Sequence, residues 1–238
     1  MKRTFGYTLV EALVAIGLIG VIAALAIPSL VNEYNKQVYA KTLKVAISDF
    51  ETAMSAMMMK EGVTSLAETE AWKAIIDSDG YLTLHNDSSP EVIKNFRSHL
   101  NEVLPIKDTY TDERSYKALG ADYDFNLNAT LGFLTKKNVE YQFGFARWSI
   151  PNVDEKEIIA SGKLDSDFVG SVNIDINGKK PPNKMGRDAF LYNLSNDGIL
   201  TPSYHLPDLA YEDLKSLCLE SGIGCSEYLR RNNYKMDY

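Results

Sequence analysis

The chain has 238 residues, of which 45% are hydrophobic and 24% are charged. This balance is typical of a globular protein and excludes a collagen, a low-complexity disordered chain and a multi-span membrane protein. Asp and Glu outnumber Lys and Arg by 32 to 25, which gives a net charge of −7. The positive excess that a general nucleic-acid binder uses to neutralise phosphates is missing, so we expect no nucleic-acid partner.

One apolar segment lies close to the N-terminus. Residues 8–30 contain a single charged side chain, that of Glu11. A helix needs about 20 mostly apolar residues to cross a bilayer, so this segment predicts one transmembrane helix. A carboxylate in hydrocarbon costs about 2.5–3.5 kcal/mol on insertion scales. Glu11 therefore marks either a paired group or a side chain that snorkels to the membrane interface.

The helical pattern continues beyond the apolar segment. Apolar residues recur every three to five positions, which predicts one face of an amphipathic helix: Val38, Leu43, Ile47, Phe50, Met54 and Met57. Pro28 is expected to bend this helix rather than end it. We predict one rod from Thr8 to Met59, about 78 Å long at 1.5 Å per residue. Its methionines at 54 and 57–59 are expected to fill gaps against a sheet.

Two simpler interpretations of the N-terminus stay open. Lys2 and Arg3 before an apolar run are also typical of a secretory signal peptide, and residues 24–26 supply a cleavage pattern. That interpretation predicts a soluble periplasmic domain that begins at Ile27. In the third interpretation residues 8–30 form an uncleaved membrane anchor, which assigns no role to Glu11. The position of Glu11 and the helical pattern beyond residue 30 oppose the signal peptide.

The N-terminal residues resemble those of type IV prepilins and type II secretion pseudopilins. A short basic leader ends in Gly6, the aromatic Tyr7 follows, and Glu11 lies four residues further on. Pro28 falls where many members of these families carry a proline. The resemblance covers about residues 1–60, and Tyr7 departs from the commoner phenylalanine.

This resemblance implies a specific processing and assembly route. Prepilin peptidase would cleave between Gly6 and Tyr7, and the new amino group of Tyr7 would be N-methylated. Glu11 would attract the Tyr7 N-terminus of a neighbouring subunit, and the apolar helices, with Pro28, would form the filament core. The implied partners are other pilin or pseudopilin subunits and an inner-membrane assembly platform. The implied product is a type IV pilus or a periplasmic pseudopilus.

The domain organisation follows from the same resemblance. Residues 1–6 are expected to be the leader, 7–30 the transmembrane and filament-core helix, 31–60 its amphipathic half, and 61–238 a globular head. The chain would cross the bacterial inner membrane once, with the head outside the cytoplasm.

The head combines predicted helices with predicted strands. Helices are expected at residues 66–76 and 90–104, with a turn at 77–80 between them. Alternating patterns predict strands at residues 123–127, 139–146, 171–175 and 189–194. Asp197-Gly198 predicts a hairpin turn. The expected fold class is α+β, pilin-like, with the long helix packed on an antiparallel sheet and extra short helices.

A loop with oxygen-bearing side chains suggests one cation site. Asp175, Asn177 and Asp188 have the ligand chemistry that Ca²⁺ prefers, and some pseudopilins hold calcium in a loop of comparable placement. However, Gly186 stands where an EF-hand carries Glu, and nearby Lys and Arg side chains oppose a cation. The alternative is an Asn-Gly turn stiffened by Pro181-Pro182. No other cofactor is predicted.

The two cysteines, Cys218 and Cys225, lie close together near the C-terminus. In an exported protein this pair predicts a disulfide, and several pilins have a C-terminal disulfide loop. Free thiols remain an alternative, and a zinc site is poorly supported because no further Cys or His follows. Residues 227–231 are expected to form a tail after the cysteine loop.

The sequence contains none of the common catalytic motifs. His85, His99 and His205 fall in no HExxH pattern, and there is no GxSxG, Walker A or GxGxxG segment. We therefore expect a structural subunit rather than an enzyme, with no catalytic residue.

Overall fold

The architecture comes from a computed structural model of the chain. It describes residues 8–75, 90–110, 114–127, 131–144, 168–203 and 209–238. The predicted turn at 77–80 lies outside these residues.

A single long helix, α1 (Leu9–Glu61), dominates the molecule. Its 53 residues correspond to a rod of about 80 Å. Thr8 caps the N-terminus, and Gly62 ends the helix with φ of 69°, a left-handed conformation that glycine adopts without strain. Pro28 lies inside the helix, so the predicted rod from Thr8 to Met59 is confirmed and extends two residues further.

Short helices and strands follow α1. The helical elements are a 3₁₀ turn (Leu66–Glu68), α2 (Glu70–Lys73), α3 (Pro90–Val103), α4 (Tyr211–Ser221) and α5 (Cys225–Arg231). The strands are β1 (Ile106–Tyr110), β2 (Arg114–Lys117), β3 (Asp124–Leu127), β4 (Leu131–Thr135), β5 (Glu140–Gly144), β6 (Phe168–Asp175), β7 (Ala189–Ser195) and β8 (Leu200–Pro202). The helix predicted at 66–76 is divided because the Thr69 side chain accepts the Trp72 N–H and starts a new helix.

The strands form two antiparallel sheets. The larger sheet has the order β1-β4-β5-β6-β7-β8, and β2 pairs with β3 in the smaller one. Lys117 at the end of β2 also forms a parallel bridge with Lys184. The α+β class with a long helix, an antiparallel sheet and extra short helices is therefore confirmed. Strands β3, β5, β6 and β7 lie at their predicted places, although residues 145 and 146 of the β5 prediction fall outside the described residues.

The second half of α1 packs on one face of the larger sheet. The Tyr141 hydroxyl donates to the Ala46 carbonyl at 2.8 Å. The Phe50 ring lies 5.1 Å from the ring of Tyr141 and 5.8 Å from that of Phe143. The predicted buried face is confirmed from residue 43 to residue 57. The prediction is wrong at Val38, which is 37% exposed, because the buried face of α1 begins only at Ala40.

The methionine cluster of α1 divides between two environments. Met54, Met57 and Met58 are buried in the core, as predicted. Met59 is 82% exposed, so the prediction is wrong there. Consecutive positions on a helix turn by about 100°, and residue 59 has passed the face that contacts the sheet.

The opposite face of the sheet is covered by β2 and β3. Tyr116 and Phe125 pack there against Leu191, Met185 and Ile223. Side chains alternate between the two faces of a strand. In β5 and β6 the apolar residues face α1, and the residues between them face the layer formed by β2 and β3. These intervening residues are polar and buried: Glu140, Gln142, Asn173 and Asp175.

The strand β7 runs between two ends of the head that differ in their contacts with α1. At the lower end, the Arg187 guanidinium donates to the Asn32 side chain and lies 5.9 Å from the Tyr39 ring centre. At the upper end, the backbone of Gly198 approaches Met54 so closely that an added β-carbon would lie 2.9 Å from the Met54 β-carbon.

The C-terminal helices are joined by a disulfide. Cys218 of α4 and Cys225 of α5 form the bond, so the first of the three predicted alternatives is the one observed. The predicted tail at 227–231 is wrong, because these residues belong to α5. The buried Glu227 carboxylate accepts hydrogen bonds from Arg230 and Arg231, which lie three and four positions further along the helix.

Candidate functional site

The first half of α1 exposes apolar side chains around its whole circumference. Leu9, Leu18 and Leu30 are 78%, 60% and 68% exposed. Within the described part of the chain, α1 is the one helix long and apolar enough to cross a membrane. So extended an apolar surface is unfavourable in water and marks a membrane or protein contact. We call residues 9–31 the exposed apolar segment.

Glu11, the one charged residue of this segment, is held at the helix N-terminus. Its Oε2 accepts hydrogen bonds of 2.8 Å from both the backbone N–H and the hydroxyl of Thr8. The Thr8 hydroxyl accepts the Glu11 backbone N–H at 3.2 Å in return. This reciprocal arrangement is a capping box. The Thr-x-x-Glu spacing before an apolar run is the usual signal for such a cap, so the role of Thr8 was recognisable from the sequence.

Pro28 lies within the exposed apolar segment without ending the helix, as predicted. It has no backbone N–H, so one carbonyl of the preceding turn lacks its helical donor. Further toward the N-terminus, β-carbons added at Gly17 or Gly20 would meet nothing within 4 Å. The surface around these two glycines is open to a neighbouring helix.

The predicted processing site lies outside the described residues. This applies to the leader, residues 1–6, and to both Gly6 and Tyr7. Cleavage between them and N-methylation of Tyr7 therefore stay predictions.

The three predicted calcium ligands lie together in the loop between β6 and β7. Asp188 accepts N–H groups from Asn183 and Lys184 at 2.9 and 2.6 Å, and the Asn177 amide donates to it at 3.1 Å. Asp175 accepts the Asn177 backbone N–H at 3.0 Å. These donors organise the loop as an Asx-type turn without a cation. Calcium binding stays a prediction.

A buried acidic patch lies beside this loop, on the face of the sheet covered by β2. Burial raises the pKa of Glu140 to about 7, although a hydrogen bond from Gln142 and the charge of Lys179 oppose the rise. Burial, together with the Asp188 charge, also raises the pKa of Asp175. The Tyr116 hydroxyl donates to Asp175 at 3.1 Å. Desolvation is the dominant cause in both cases, because it penalises the charged form.

The described residues offer no arrangement typical of a metal centre. No group of three or more His, Cys, Asp or Glu side chains within them is placed to hold a metal ion. His99 lies half-buried in α3, whereas His85 and His205 fall outside the described residues.

Comparison with known proteins identifies the N-terminus of the chain. The model of the prokaryotic N-terminal methylation motif matches residues 1–27. No curated protein and no solved structure matches the chain. The motif is the signature of type IV pilins and pseudopilins.

The motif and the exposed apolar segment support a precursor of the pilin or pseudopilin type. The motif implies processing by prepilin peptidase and assembly with other pilin subunits, and it points to a structural subunit. The apolar helix is consistent with a membrane anchor.

Proposed function

We propose that the chain is a pilin or pseudopilin that is cleaved between Gly6 and Tyr7, methylated on Tyr7 and assembled into a type IV pilus or a type II secretion pseudopilus. The observation that carries this proposal is the exposed apolar segment that directly follows the methylation motif. Before assembly the helix anchors the chain in the bacterial inner membrane, with the head outside the cytoplasm.

The exposed apolar segment supports assembly through helix packing. Lipid tails are as apolar as leucine, so helices leave the bilayer for a filament core through close packing and polar contacts rather than through the hydrophobic effect. Gly17 and Gly20 leave space for close approach of another helix. In the assembled filament the apolar side chains stay out of water, as they do in the membrane.

Glu11 supports the same proposal as a register-setting group. The amino group of Tyr7 in a neighbouring subunit is the partner that assembly would bring to it. Opposite charges a few ångströms apart in a low-dielectric surrounding attract strongly and offset the burial of the carboxylate. Because both groups occur once per subunit, the pair fixes the stagger between neighbours.

The alternative is a secreted or membrane-anchored periplasmic binding domain. It predicts cleavage after Ala26 or no cleavage at all. The continuity of α1 across residues 24–27 favours the assembly proposal, because release at Ile27 would discard the exposed half of a helix that has no break there.

The first test is N-terminal peptide and intact mass spectrometry of the chain from its native membrane or fibre fraction. A mature chain that starts at N-methylated Tyr7 supports the proposal, whereas one that starts at Ile27 refutes it. Gly6→Val is expected to leave residues 1–6 attached. Gly20→Val makes the same substitution inside the apolar segment and is the matched control, with cleavage expected as in the wild type.

A further inference from the structure

The upper end of the head exposes mainly carboxylates. We define the upper acidic surface as Glu61, Glu68, Glu70 and Asp197. The Glu61 carboxylate accepts the Glu70 backbone N–H at 2.7 Å, which joins the end of α1 to the start of α2. Two cations border these carboxylates: Lys73 pairs with Glu70 at 3.2 Å, and Lys60 pairs with Glu102.

The hairpin between β7 and β8 belongs to this same surface. The Asn196 side chain accepts the Ser65 hydroxyl at 2.9 Å, and its backbone carbonyl accepts the Leu66 N–H at 2.7 Å. Asp197 is the next residue and is exposed. The four carboxylates are therefore carried by one connected part of the head.

The lower end of the head has the opposite charge. We define the lower basic surface as Lys179, Lys180, Lys184 and Arg187, all in the loop between β6 and β7. Lys179 and Lys180 are exposed, and Lys184 and Arg187 are half-buried. Asp175 and Asp188, which border the loop, are buried. Asp122 and Asp124 are exposed near Lys184, so the unopposed positive charge of this surface is concentrated at Lys179 and Lys180.

The two surfaces are far apart within one chain. Arg187 contacts Asn32 of α1, whereas Gly198 beside the upper surface packs on Met54. Twenty-two helical residues separate Asn32 and Met54, which corresponds to about 33 Å along the helix axis. The surfaces cannot meet each other within one chain.

Each surface also has an apolar part beside its charges. Ile199 is 43% exposed next to Asp197. Pro181 and Pro182 are exposed next to Lys180. An apolar centre with a charged rim is the usual composition of a protein–protein interface.

We propose that the lower basic surface of one subunit docks on the upper acidic surface of a second copy of this chain in the same filament. This inference rests on the proposed assembly. When the rods lie parallel, all heads point the same way, and the lower end of one head faces the upper end of another. Such a head-to-tail contact repeats without closing and generates a filament.

A second copy explains more than an anionic lipid surface does. Lipid headgroups would match the lower basic surface but would leave the upper acidic surface without a partner. Two complementary surfaces on one chain favour self-association, and their charges steer the encounter and select the register.

The test is charge reversal in the full-length chain, with sheared fibres quantified against the membrane fraction. Lys179→Glu with Lys180→Glu is expected to lower the fibre fraction about tenfold, since like charges then face each other. Lys179→Arg with Lys180→Arg preserves the charge and is expected to assemble as the wild type. N-terminal processing should be unchanged in both variants. Because the charge of Lys179 acts on buried Glu140, the melting temperature of the head is compared at a pH well below 7, where Glu140 is protonated in both variants.

A charge swap identifies the partner. Glu68→Lys with Glu70→Lys should cause the same loss, and all four reversals in one chain should restore assembly. Failure of the swap to restore assembly overturns the proposal, as does normal assembly of the first variant. A lipid contact predicts that the four reversals together do not restore assembly, because lipid headgroups cannot compensate for Glu68→Lys and Glu70→Lys.

Cross-linking is a second measurement, and it does not depend on the stability of the charge-reversed variants. Cells that co-express one chain with Glu68→Cys and another with Lys180→Cys should give a bismaleimide-linked dimer from fibres, but neither chain alone should. Fibres without this dimer refute the docking proposal alone. A wild-type chain that never enters fibres refutes the assembly proposal as well, so the two failures are distinguishable.

Discussion

The two halves of α1 have the same backbone and meet opposite surroundings. Between residues 9 and 31 apolar side chains point in every direction and are exposed. From Ala40 to Met58 one face is buried against the sheet and the others are polar. The comparison indicates that the second half is stabilised by the head, whereas the first half of the helix needs lipid or other helices around it.

The same comparison explains where polar residues occur. Polar residues of the second half contact the head, as in the ion pair of 2.6 Å between Lys137 and Asp49. In the first half Glu11 is the one charged side chain, and the capping box at the helix terminus holds it. Substitutions in the two halves should therefore change different measurements.

The largest expected effect is that of Glu11→Ala on assembly. Loss of the carboxylate removes the proposed pairing with Tyr7, and we expect assembly to fail while membrane insertion continues, because the N-terminal charge of the neighbouring subunit would be buried without a partner. The melting temperature of the head should stay the same. Glu33→Ala removes an exposed carboxylate beyond the apolar segment, which pairs with Lys36 at 2.8 Å, and is the matched control. Normal assembly of Glu11→Ala would remove Glu11 from the mechanism.

The second prediction distinguishes the two halves of α1 by the effect of substitutions on the free energy of unfolding. Phe50→Ala should lower the free energy of unfolding of the head by about 3–5 kcal/mol, because it leaves a cavity beside Tyr141 and Phe143. Leu18→Ala truncates an exposed side chain and should change it by less than about 0.5 kcal/mol. Denaturant unfolding of the detergent-solubilised chain measures both. Equal losses would contradict the independence of the two halves.

The third effect concerns the buried acidic patch and pH. The pKa of Glu140 is about 7 in the folded chain against an ordinary value of 4.5. Between these pH values the folded state keeps a proton that the unfolded state has released, so stability falls as pH rises. The loss from Glu140 is complete above pH 7 and amounts to roughly 3 kcal/mol.

Glu140→Gln should reduce this loss, because the side chain then carries no titratable proton. The melting temperature of Glu140→Gln should vary less with pH across neutrality than that of the wild type. Above pH 7 the variant head should be the more stable of the two. Glu102→Gln changes an exposed carboxylate beside Lys60 and should leave the Glu140 contribution in place. An unchanged profile in Glu140→Gln would contradict the assignment.

The smallest expected effect is that of calcium. If Asp175, Asn177 and Asp188 bind Ca²⁺, a tenfold excess over Kd should stabilise the head by about 1.4 kcal/mol. Asp188→Asn should abolish this calcium-dependent gain. If the loop is only a turn, calcium leaves the melting temperature unchanged, and Asp188→Asn destabilises the head equally with and without it.

The sequence predicted the parts of the fold whose patterns are long. The apolar segment and the alternating strands β5, β6 and β7 follow directly from residue spacing. Strand β8 has three residues, too few to establish an alternation, and β4 is buried at nearly every position, which hides it. Helix α5 was missed because the close Cys and Gly spacing before it indicates a loop.

The candidate site was predictable in its residues but not in its contacts. Glu11 and Pro28 follow from the sequence, since a charge and a proline are conspicuous in an apolar run. The opposed charges of the two ends of the head required the fold, because Glu68 and Asp197 come from distant parts of the chain. The burial of Asp175 and Asp188 beside the basic loop is likewise a tertiary effect.

The capping box has a consequence for the reversibility of the proposed filament. In the single chain, Glu11 already accepts two hydrogen bonds from Thr8. When Glu11 pairs with the amino group of a neighbouring subunit, it would exchange the Thr8 donors for that amino group. The carboxylate would therefore have hydrogen-bond donors both before and after assembly. A subunit that leaves the filament could return Glu11 to Thr8, so the free energy that separates the two states is the difference between two satisfied arrangements.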